Sequence, residues 1–288
     1  MKKVNYLNNK DILKEIHKSK NSYCSFVDRA DNAYDVIIHD IEKMKDATFI
    51  EEARQLRADR LSKEAFDLAK AEDKAVKAAQ FIIDPSEIKN TDIVFRLMTW
   101  DHIPEAEAKP KKGAVADPDD ELPHSEYDED EPALPVKYVK VNFPPFQHYK
   151  LNEADEPVLV GKSHWKGDLV TGSYSRDHGS MTNKLAHMFI KLCERYATRS
   201  NWRGYTYNDE MRSQALLQLS QIGLQFDESK SQNPFAYYTA AITNSFTRVL
   251  NIEKRNQNIR DDILEMNGLN PSYTRQGMSG GGAPTFEE

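Results

Sequence analysis

The chain has 288 residues, a formal net charge of −7 and a hydrophobic fraction of 39%. The length suffices for one large domain or two small ones, and the low hydrophobic fraction indicates that part of the chain stays outside any core. The acidic balance excludes a protein that coats nucleic acid over its whole surface. Residues 176–265, however, hold 12 Lys or Arg against 10 Asp or Glu, so a local basic surface is compatible with the sequence.

Sequence motifs of the common enzyme classes are absent. The chain contains no GxxxxGK[ST], HExxH or GxSxG pattern. Cys24 and Cys193 lie far apart and outside any zinc-ligand spacing, which fits a reducing cytoplasm. No apolar run reaches the roughly 18 residues of a membrane helix, and the opening MKKVNYL lacks the apolar stretch of a signal peptide. We therefore expect a protein that is not an enzyme, uses no cofactor or metal, and has no membrane partner.

The first 100 residues are predicted to form an N-terminal helical region. Residues 5–16 have the apolar spacing of a short helix, with Asn8 or Asn9 as its cap. Residues 31–82 are rich in Ala, Lys, Glu, Asp and Leu, which predicts two or more helices. The segment DIVFRLMTW, residues 92–100, is apolar without helical spacing and is predicted to be a strand.

Proline and acidic residues dominate the next segment. Nine acidic residues lie between Asp117 and Glu131, interleaved with prolines, so residues 101–135 are predicted to be an acidic, disordered linker. The run VKYVKVNF alternates apolar residues ahead of a Pro-Pro pair, which predicts an edge strand. Together with a further short strand and turn, it makes residues 136–175 an irregular insertion with a few short strands.

Three helices are predicted between residues 176 and 265. The first has apolar residues three and four positions apart in MTNKLAHMFIKLCERYA, with Thr182 or Ser180 as its cap. The second has Asn208 as its candidate cap. The third has Asn233 as its cap and Pro234 at its first helical position, and it ends in the basic run IEKR. Residues 266–288 contain GMSGGGAP and are predicted to form a flexible tail. The predicted fold class is mainly α.

A set of residues near the ends of these helices, together with the opening of the chain, resembles a known family. The set is Asn5-Tyr6, Asn8-Asn9-Lys10, Leu13, Gly204-Tyr205-Thr206, Glu210-Met211, Phe226-Asp227-Glu228, Lys230, Asn233-Pro234, Ala236-Tyr237, Thr239, Phe246 and Glu253-Lys254-Arg255. In this helical order it resembles region 2 of bacterial sigma factors. It is more similar still to the late-transcription sigma factors of T-even-type bacteriophages, especially versions from phages of cyanobacteria. The resemblance covers roughly residues 1–16 and 176–265, and the roughly 160 residues between them have no counterpart in shorter family members.

A sigma region 2 has one surface for the RNA polymerase core and another for the promoter. The resemblance implies that the second predicted helix contacts the clamp helices of the polymerase largest subunit. Glu210 would pair with an arginine there, and Leu217 would bury apolar surface. The alternative is that the leucines of this helix are core and that Glu210 only favours the helix dipole. The positions that match the family's contact residues are Glu210, Ser213, Gln214, Leu217 and Ser220.

The resemblance implies that the third helix faces the promoter and helps to open it at a minus-ten-like, A/T-rich element. Aromatic rings stack on unpaired bases, asparagine reads adenine, and basic side chains neutralise phosphates. Tyr237 and Tyr238 point about 100° apart on a helix, so we expect Tyr238 at the core side or rim and Tyr237 toward DNA. For the polar positions the alternative is a solvated helix face. The predicted DNA-contacting residues are Tyr237, Tyr238, Thr239, Thr243, Asn244, Thr247, Arg248, Lys254 and Arg255.

Two differences from housekeeping sigma factors indicate that this chain would need accessory proteins to open a promoter. Ala240 and Ala241 stand where those factors carry a tryptophan pair, so the wedge at the bubble edge is missing or supplied by Tyr237, Tyr238 or Phe246. No region-4-like helix-turn-helix for an upstream element is recognisable. The late phage factors also lack it and depend on a phage sliding clamp and a co-activator, which become implied partners of this chain.

The clamp contact of those factors is a short C-terminal peptide with apolar and acidic residues. This chain ends in PTFEE after a glycine linker, so Phe286 and Glu287 are candidate clamp contacts, with a disordered tail as the alternative. The acidic run from Asp117 to Glu131 either shields the polymerase channel from non-specific DNA or serves as a solubilising linker.

The predicted function is therefore that of a phage-encoded sigma factor. It would bind the host RNA polymerase core and direct it to late promoters in the cytoplasm of the infected bacterial host. The competing hypothesis is a helical adaptor or scaffold protein whose tyrosine-rich helix is an interface with another protein. The two hypotheses differ in salt dependence, because only phosphate contacts release counterions.

Overall fold

The computed structural model describes residues 7–72, 76–106 and 138–279, which are mainly helical and carry a small mixed sheet. The chain divides into two compact units, which we call the helical unit (Met1–Ser19 with Met181–Glu288) and the sheet unit (Lys20–Ser180). In chain order the elements are α1 (Asn9–Asn21), β1 (Cys24–Phe26), β2 (Val36–Ile38), α2 (Ala47–Glu72), β3 (Phe95–Met98), β4 (Phe146–Leu151), β5 (Pro157–Ser163), β6 (Trp165–Lys166), β7 (Ser173–Tyr174), α3 (Asn183–Ala197), α4 (Asn208–Ile222), α5 (Pro234–Met266) and α6 (Tyr273–Ser279).

The division of the chain differs from the predicted boundaries. Residues 1–100 do not form one helical region, because α1 starts in the helical unit while β1, β2, α2 and β3 belong to the sheet unit. Residues 136–175 are not a separate insertion, since β4 pairs with β3 in one sheet. Backbone hydrogen bonds between distant segments decide these boundaries, and local composition does not reveal them. Most of the predicted linker, residues 101–135, lies outside the described ranges.

The helical unit joins the first helix of the chain to its last four. Ile12 and Ile16 of α1 are fully buried. The side-chain oxygen of Asn9 accepts a hydrogen bond from the backbone N–H of Phe235 on α5 at 3.1 Å. The hydroxyl of Thr182, just ahead of α3, donates to the carboxylate of Glu15 at 3.0 Å. The two segments that carry the resemblance to sigma region 2 therefore pack together in one unit.

Three of the four predicted helix starts are confirmed by side-chain caps. Asn8 accepts from the N–H of Asp11 at 2.7 Å, Thr182 caps α3, and Asn233 caps α5. The prediction for α4 is wrong in detail, since Asn208 is its first helical residue and makes no cap. Its amide instead donates to the backbone oxygens of residues 197 and 202 at 3.2 and 3.0 Å, which fixes the turn between α3 and α4.

α5 is longer than the sequence pattern indicates. The basic run IEKR does not end it, and the helix continues to Met266. The predicted tail then folds back in part: the N–H and hydroxyl of Ser272 both donate to the carboxylate of Asp261, at 2.8 and 2.7 Å. The short helix α6 follows that turn. Residues 266–279 are therefore ordered structure, and the remainder of the tail lies outside the described residues.

The sheet unit is built on five strands in the order β1-β5-β4-β3-β2. The β2–β3 pair is parallel and the other three pairs are antiparallel, while β6 and β7 form a separate two-stranded ladder. The predicted strand in DIVFRLMTW is confirmed as β3. The predicted edge strand ahead of the Pro-Pro pair is wrong: β4 begins after the prolines, at Phe146, and lies inside the sheet.

One face of this sheet packs against α2 and the 3-10 turns around it. Ile38 and Phe95 of the strands meet Ile50 and Ala53 of α2 in a single apolar core. The described part of residues 31–82 holds one α-helix, α2, where two or more helices are predicted. The apolar stripe of residues 37–44 forms β2 and a 3-10 turn instead. The stripe is too short to distinguish a strand from a helix by spacing alone.

Candidate functional site

A groove of about 730 Å³ runs between α4 and α5. Apolar side chains from both helices line it alongside amides, one arginine and two glutamates. The groove brings together three predicted polymerase contacts and three predicted DNA contacts. The lining residues are Glu210, Gln214, Leu217, Gln218, Gln221, Ile222, Tyr237, Ala240, Ala241, Asn244, Ser245, Arg248, Val249, Ile252 and Glu253.

The α4 wall of the groove presents three of the predicted polymerase contacts. Glu210, Gln214 and Leu217 share this face, and Leu217 is 54% exposed although it is a leucine in the middle of a helix. The core position is taken by Leu219, which is fully buried. A single exposed leucine is ordinary on a protein surface. Leu217 stands out because it lies in the groove beside Glu210 and Gln214, where a bound partner would bury it.

Ser213 and Ser220 are exposed but stand outside the groove lining. Each hydroxyl donates to a backbone oxygen of its own helix, that of Asp209 at 2.9 Å and that of Leu217 at 2.7 Å. Their hydroxyls are therefore engaged within α4. The other three predicted polymerase contacts, on the groove wall, are the ones whose side chains face a common surface.

The α5 wall presents Tyr237, Asn244 and Arg248, which follow one another at the spacing of whole helical turns. Asn244 and Arg248 are exposed, and Tyr237 is half-buried. The ring of Tyr237 meets that of Phe226 edge-on, with centroids 5.6 Å apart. This partial burial raises the pKa of the Tyr237 phenol, so its hydroxyl is neutral and remains a donor at any physiological pH.

Tyr238 is removed from the predicted DNA-contacting set. Its side chain is fully buried, and its hydroxyl donates to the backbone oxygen of Gly223. Its ring packs edge-on against Phe189 at 4.8 Å between centroids, and burial raises the pKa of its phenol. The expectation that Tyr238 lies on the core side is correct, because the two adjacent tyrosines point in different directions from one helix.

The threonines of α5 do not join the groove. The hydroxyl of Thr239 donates to backbone oxygens one turn earlier, and that of Thr243 donates to the Thr239 oxygen at 2.8 Å and also meets the hydroxyl of Tyr196 on α3. The Thr243 side chain therefore connects α5 to α3, whereas the Thr239 hydroxyl bonds within α5. Thr247 is exposed on the outer surface of α5, as are both members of the basic pair that follows, Lys254 and Arg255.

The burial of three aromatic residues limits which of them could replace the tryptophan pair of housekeeping sigma factors. Ala240 and Ala241 line the groove with methyl groups only. Phe246, like Tyr238, is fully buried, and it contacts Trp202 and Tyr196 edge-on. Of the three aromatic residues that could replace a tryptophan pair, Tyr237 alone retains exposed ring surface.

Sequence reasoning missed several groove residues. Gln218 and Gln221 repeat the position of Gln214 at three- and four-residue spacing, which marks them as one wall once α4 is assigned. Ile252 escapes sequence-based prediction because it lies in the basic run IEKR, where the third helix is predicted to end, whereas α5 continues to Met266. Phe286 and Glu287, the candidate clamp contacts, lie outside the described residues, and so does the acidic run from Asp117 to Glu131.

The chain matches no protein-family model, no curated protein and no solved structure. Within the described ranges, no helix is both long and apolar enough to cross a bilayer. No group of three or more His, Cys, Asp or Glu side chains in that part of the chain is arranged to hold a metal ion. The groove is therefore suited to binding, through its amides, an arginine, two carboxylates and a tyrosine ring.

Proposed function

We propose that the chain is a phage-encoded sigma factor that binds bacterial core RNA polymerase and recruits it to promoters with a minus-ten-like, A/T-rich element. The observation that carries the proposal is the composition of the helical unit. The two segments that resemble sigma region 2, at the start and in the last third of the chain, fall in this one unit together with the C-terminal residues 266–288. The 20–180 segment, which has no counterpart in shorter family members, folds as its own unit.

The exposed faces of α4 and α5 support a division of labour between polymerase and DNA. Leu217, with Glu210 and Gln214 beside it, is the apolar centre that a protein partner would bury. Tyr237, Asn244 and Arg248 provide one stacking ring, one base-reading amide and one phosphate-binding cation. Because the two sets are opposite walls of one groove, polymerase bound on α4 would lie directly beside promoter DNA on α5.

Dependence on a co-activator and sliding clamp is part of the proposal. A single half-buried tyrosine offers less stacking surface than a pair of exposed tryptophans, and each stacked base is worth on the order of 1–3 kcal/mol. A factor with this helix therefore binds a promoter that it opens poorly without assistance.

The DNA part of the proposal is tested by promoter binding of the assembled holoenzyme at several salt concentrations. Replacing both Lys254 and Arg255 by Ala should weaken binding and flatten the salt dependence by about one unit of slope per lost phosphate contact. Replacing both Lys63 and Lys89 by Ala, two exposed lysines outside the resembling segments, is the charge-matched control and should change neither quantity.

The adaptor hypothesis makes the opposite prediction. If the double substitution leaves promoter binding unchanged while Tyr237→Ala abolishes a protein–protein contact, the tyrosine surface of α5 serves a protein partner and the DNA role is wrong.

A further inference from the structure

The exposed sides of α1 and α3 are basic, although the whole chain has a net charge of −7. One exposed side chain on these two helices is acidic, that of Glu194. Their two other carboxylates are less accessible, since Asp11 is half-buried and accepts from the Asn8 amide, and Glu15 is buried. Six exposed side chains are cations, which gives this surface predominantly one sign and lets it attract anions. They are Lys10, Lys14, Lys18, Lys184, Lys191 and Arg195.

Three of these cations form a ridge along α3. At about 100° per residue, Lys184, Lys191 and Arg195 lie within about 40° of one another around the helix, over a length of about 16 Å. Glu194 points at least about 60° away from all three. Arg199, also exposed, adds a further cation in the turn that follows α3. We call Lys184, Lys191 and Arg195 the basic ridge.

A buried carboxylate joins the basic ridge to α1. The Nζ atoms of Lys184 and Lys18 lie 3.3 and 3.6 Å from the same Glu15 oxygen, so the two ammonium groups are close together. One carboxylate balances only one of these two cations. The junction of α1 and α3 therefore keeps a surplus of positive charge at the start of the ridge.

A cavity of about 320 Å³ opens on the same side of α3 as the ridge. Buried Met188 is its apolar floor, and Lys184, Lys191, His187 and Asn183 line its rim. Nδ1 of His187 donates to the backbone oxygen of Asn183 at 3.1 Å, which holds the imidazole ring in place. An apolar floor beside a cationic rim suits a ligand that joins a flat, apolar-faced ring to an anion, as a nucleotide does.

We propose that the basic ridge and its cavity bind single-stranded nucleic acid. Phosphates of the strand lie along the ridge, and one unpaired base enters the cavity against Met188 and the His187 ring. A duplex keeps its bases stacked inside and could use the ridge alone. None of these residues lines the groove between α4 and α5, so this surface is additional to the promoter contacts proposed on α5 and does not depend on polymerase binding.

The test measures fluorescence anisotropy of a labelled 12-nucleotide oligothymidylate with the full-length chain at several salt concentrations. Lys191→Ala with Arg195→Ala should weaken binding by about tenfold and flatten the slope of log K against log salt by about 1.4, since each phosphate contact on a single strand contributes about 0.7. Lys63→Ala with Lys89→Ala removes the same charge from exposed positions elsewhere and should change neither quantity.

The cavity is tested by His187→Ala. Affinity for the oligothymidylate should fall by about fivefold, the low end of the range for one stacked base. At pH 8 the salt slope should stay unchanged, because the substitution removes a ring and not a permanent cation. Binding of a 12-base-pair duplex should not respond to this substitution. The substituted side chains on α3 are exposed, so the circular dichroism of each variant should match that of the parent protein.

Three results would overturn the proposal: no binding of the oligothymidylate, equal effects of the ridge and control substitutions, or displacement of the strand by a 12-residue polyglutamate at equal concentration. The last would assign the ridge to an acidic protein segment. In the Lys254→Ala, Arg255→Ala background the ridge substitutions should cause the same loss, which separates this surface from α5. Failure of the parent chain to bind polymerase would contradict the sigma function and leave this result intact.

Discussion

Tyr237 and Tyr238 show how two identical neighbours acquire different roles. One rotation of about 100° along a helix places the Tyr238 ring in the core between α3 and α4, where its hydroxyl satisfies the backbone oxygen of Gly223. The same rotation leaves Tyr237 at the groove with an exposed ring edge. The sequence alone indicates that both cannot be in the core, and the expectation that Tyr238 lies on the core side or rim agrees with its full burial.

This difference in burial predicts unequal losses of stability for two conservative substitutions. Tyr238→Phe should lower the free energy of unfolding of the helical unit by about 1–2 kcal/mol, because a buried backbone oxygen loses its donor. Tyr237→Phe, the matched control at a half-buried site, should change it by less than about 0.5 kcal/mol. Urea denaturation measures both, and equal effects would contradict the assignment of Tyr238 to the core.

The histidines of the sheet unit make its stability depend on pH. Burial lowers the pKa of His102 to about 4 and that of His164 to about 3, and His102 hydrogen-bonds the backbone oxygen of Ser163 at 3.0 Å. Both are neutral in the folded state, whereas in the unfolded chain they bind protons below about pH 6.5. The unfolded state therefore gains protons first, and stability falls as the pH drops from 6.5 toward 4.

Each of these histidines contributes up to about 1.4 kcal/mol of lost stability per pH unit inside that window. Urea denaturation of the sheet unit at pH 6.5 and pH 5 should show this loss, and His102→Gln should reduce the slope by roughly half. A stability that is flat between these two pH values would contradict the burial of the two neutral rings.

At the scale of elements, α2 is held to the sheet by one buried carboxylate. The Asp35 side chain is fully buried and accepts from Arg57 at 2.9 Å, from Arg60 at 2.7 Å and from the N–H of Val94 at 2.8 Å. Removing its charge leaves two partly buried arginines without their anion, which is far costlier than losing an exposed pair.

Asp35→Asn should therefore destabilise the sheet unit by about 3–5 kcal/mol. Glu64→Gln removes the exposed partner of the same Arg60 and should cost less than about 0.5 kcal/mol. Thermal unfolding of the two variants gives the comparison, and similar losses for both would show that Asp35 does not anchor α2.

The elements also show what local sequence can and cannot predict. The caps at Asn8, Thr182 and Asn233 are local signals, so α1, α3 and α5 could be placed correctly. β1 and β2 have three residues each, too few for a periodic pattern. They form only by pairing with β5 and β3, which lie far away in the chain. Each wall of the groove could be predicted separately, because the sequence identifies the faces of α4 and α5. That the two faces line one groove could not be predicted.

At the scale of the molecule, the chain forms two compact units, and the apolar core cluster of the sheet unit draws only on residues 38–151. Denaturation of the full chain should therefore show two transitions, one for each unit. Tyr238→Phe should shift only the transition of the helical unit, and Asp35→Asn should shift only that of the sheet unit. A single transition that both substitutions move equally would mean that the units unfold together.

Binding of bacterial core RNA polymerase by the α4 wall of the groove can be measured by gel filtration of the full-length chain with purified core enzyme. We predict that the chain co-elutes with core and that Leu217→Glu weakens the complex at least tenfold. Leu56→Glu, which alters a leucine of similar exposure on α2, should leave the complex intact. Failure of the parent chain to co-elute with core, or equal effects of the two substitutions, would contradict the sigma function.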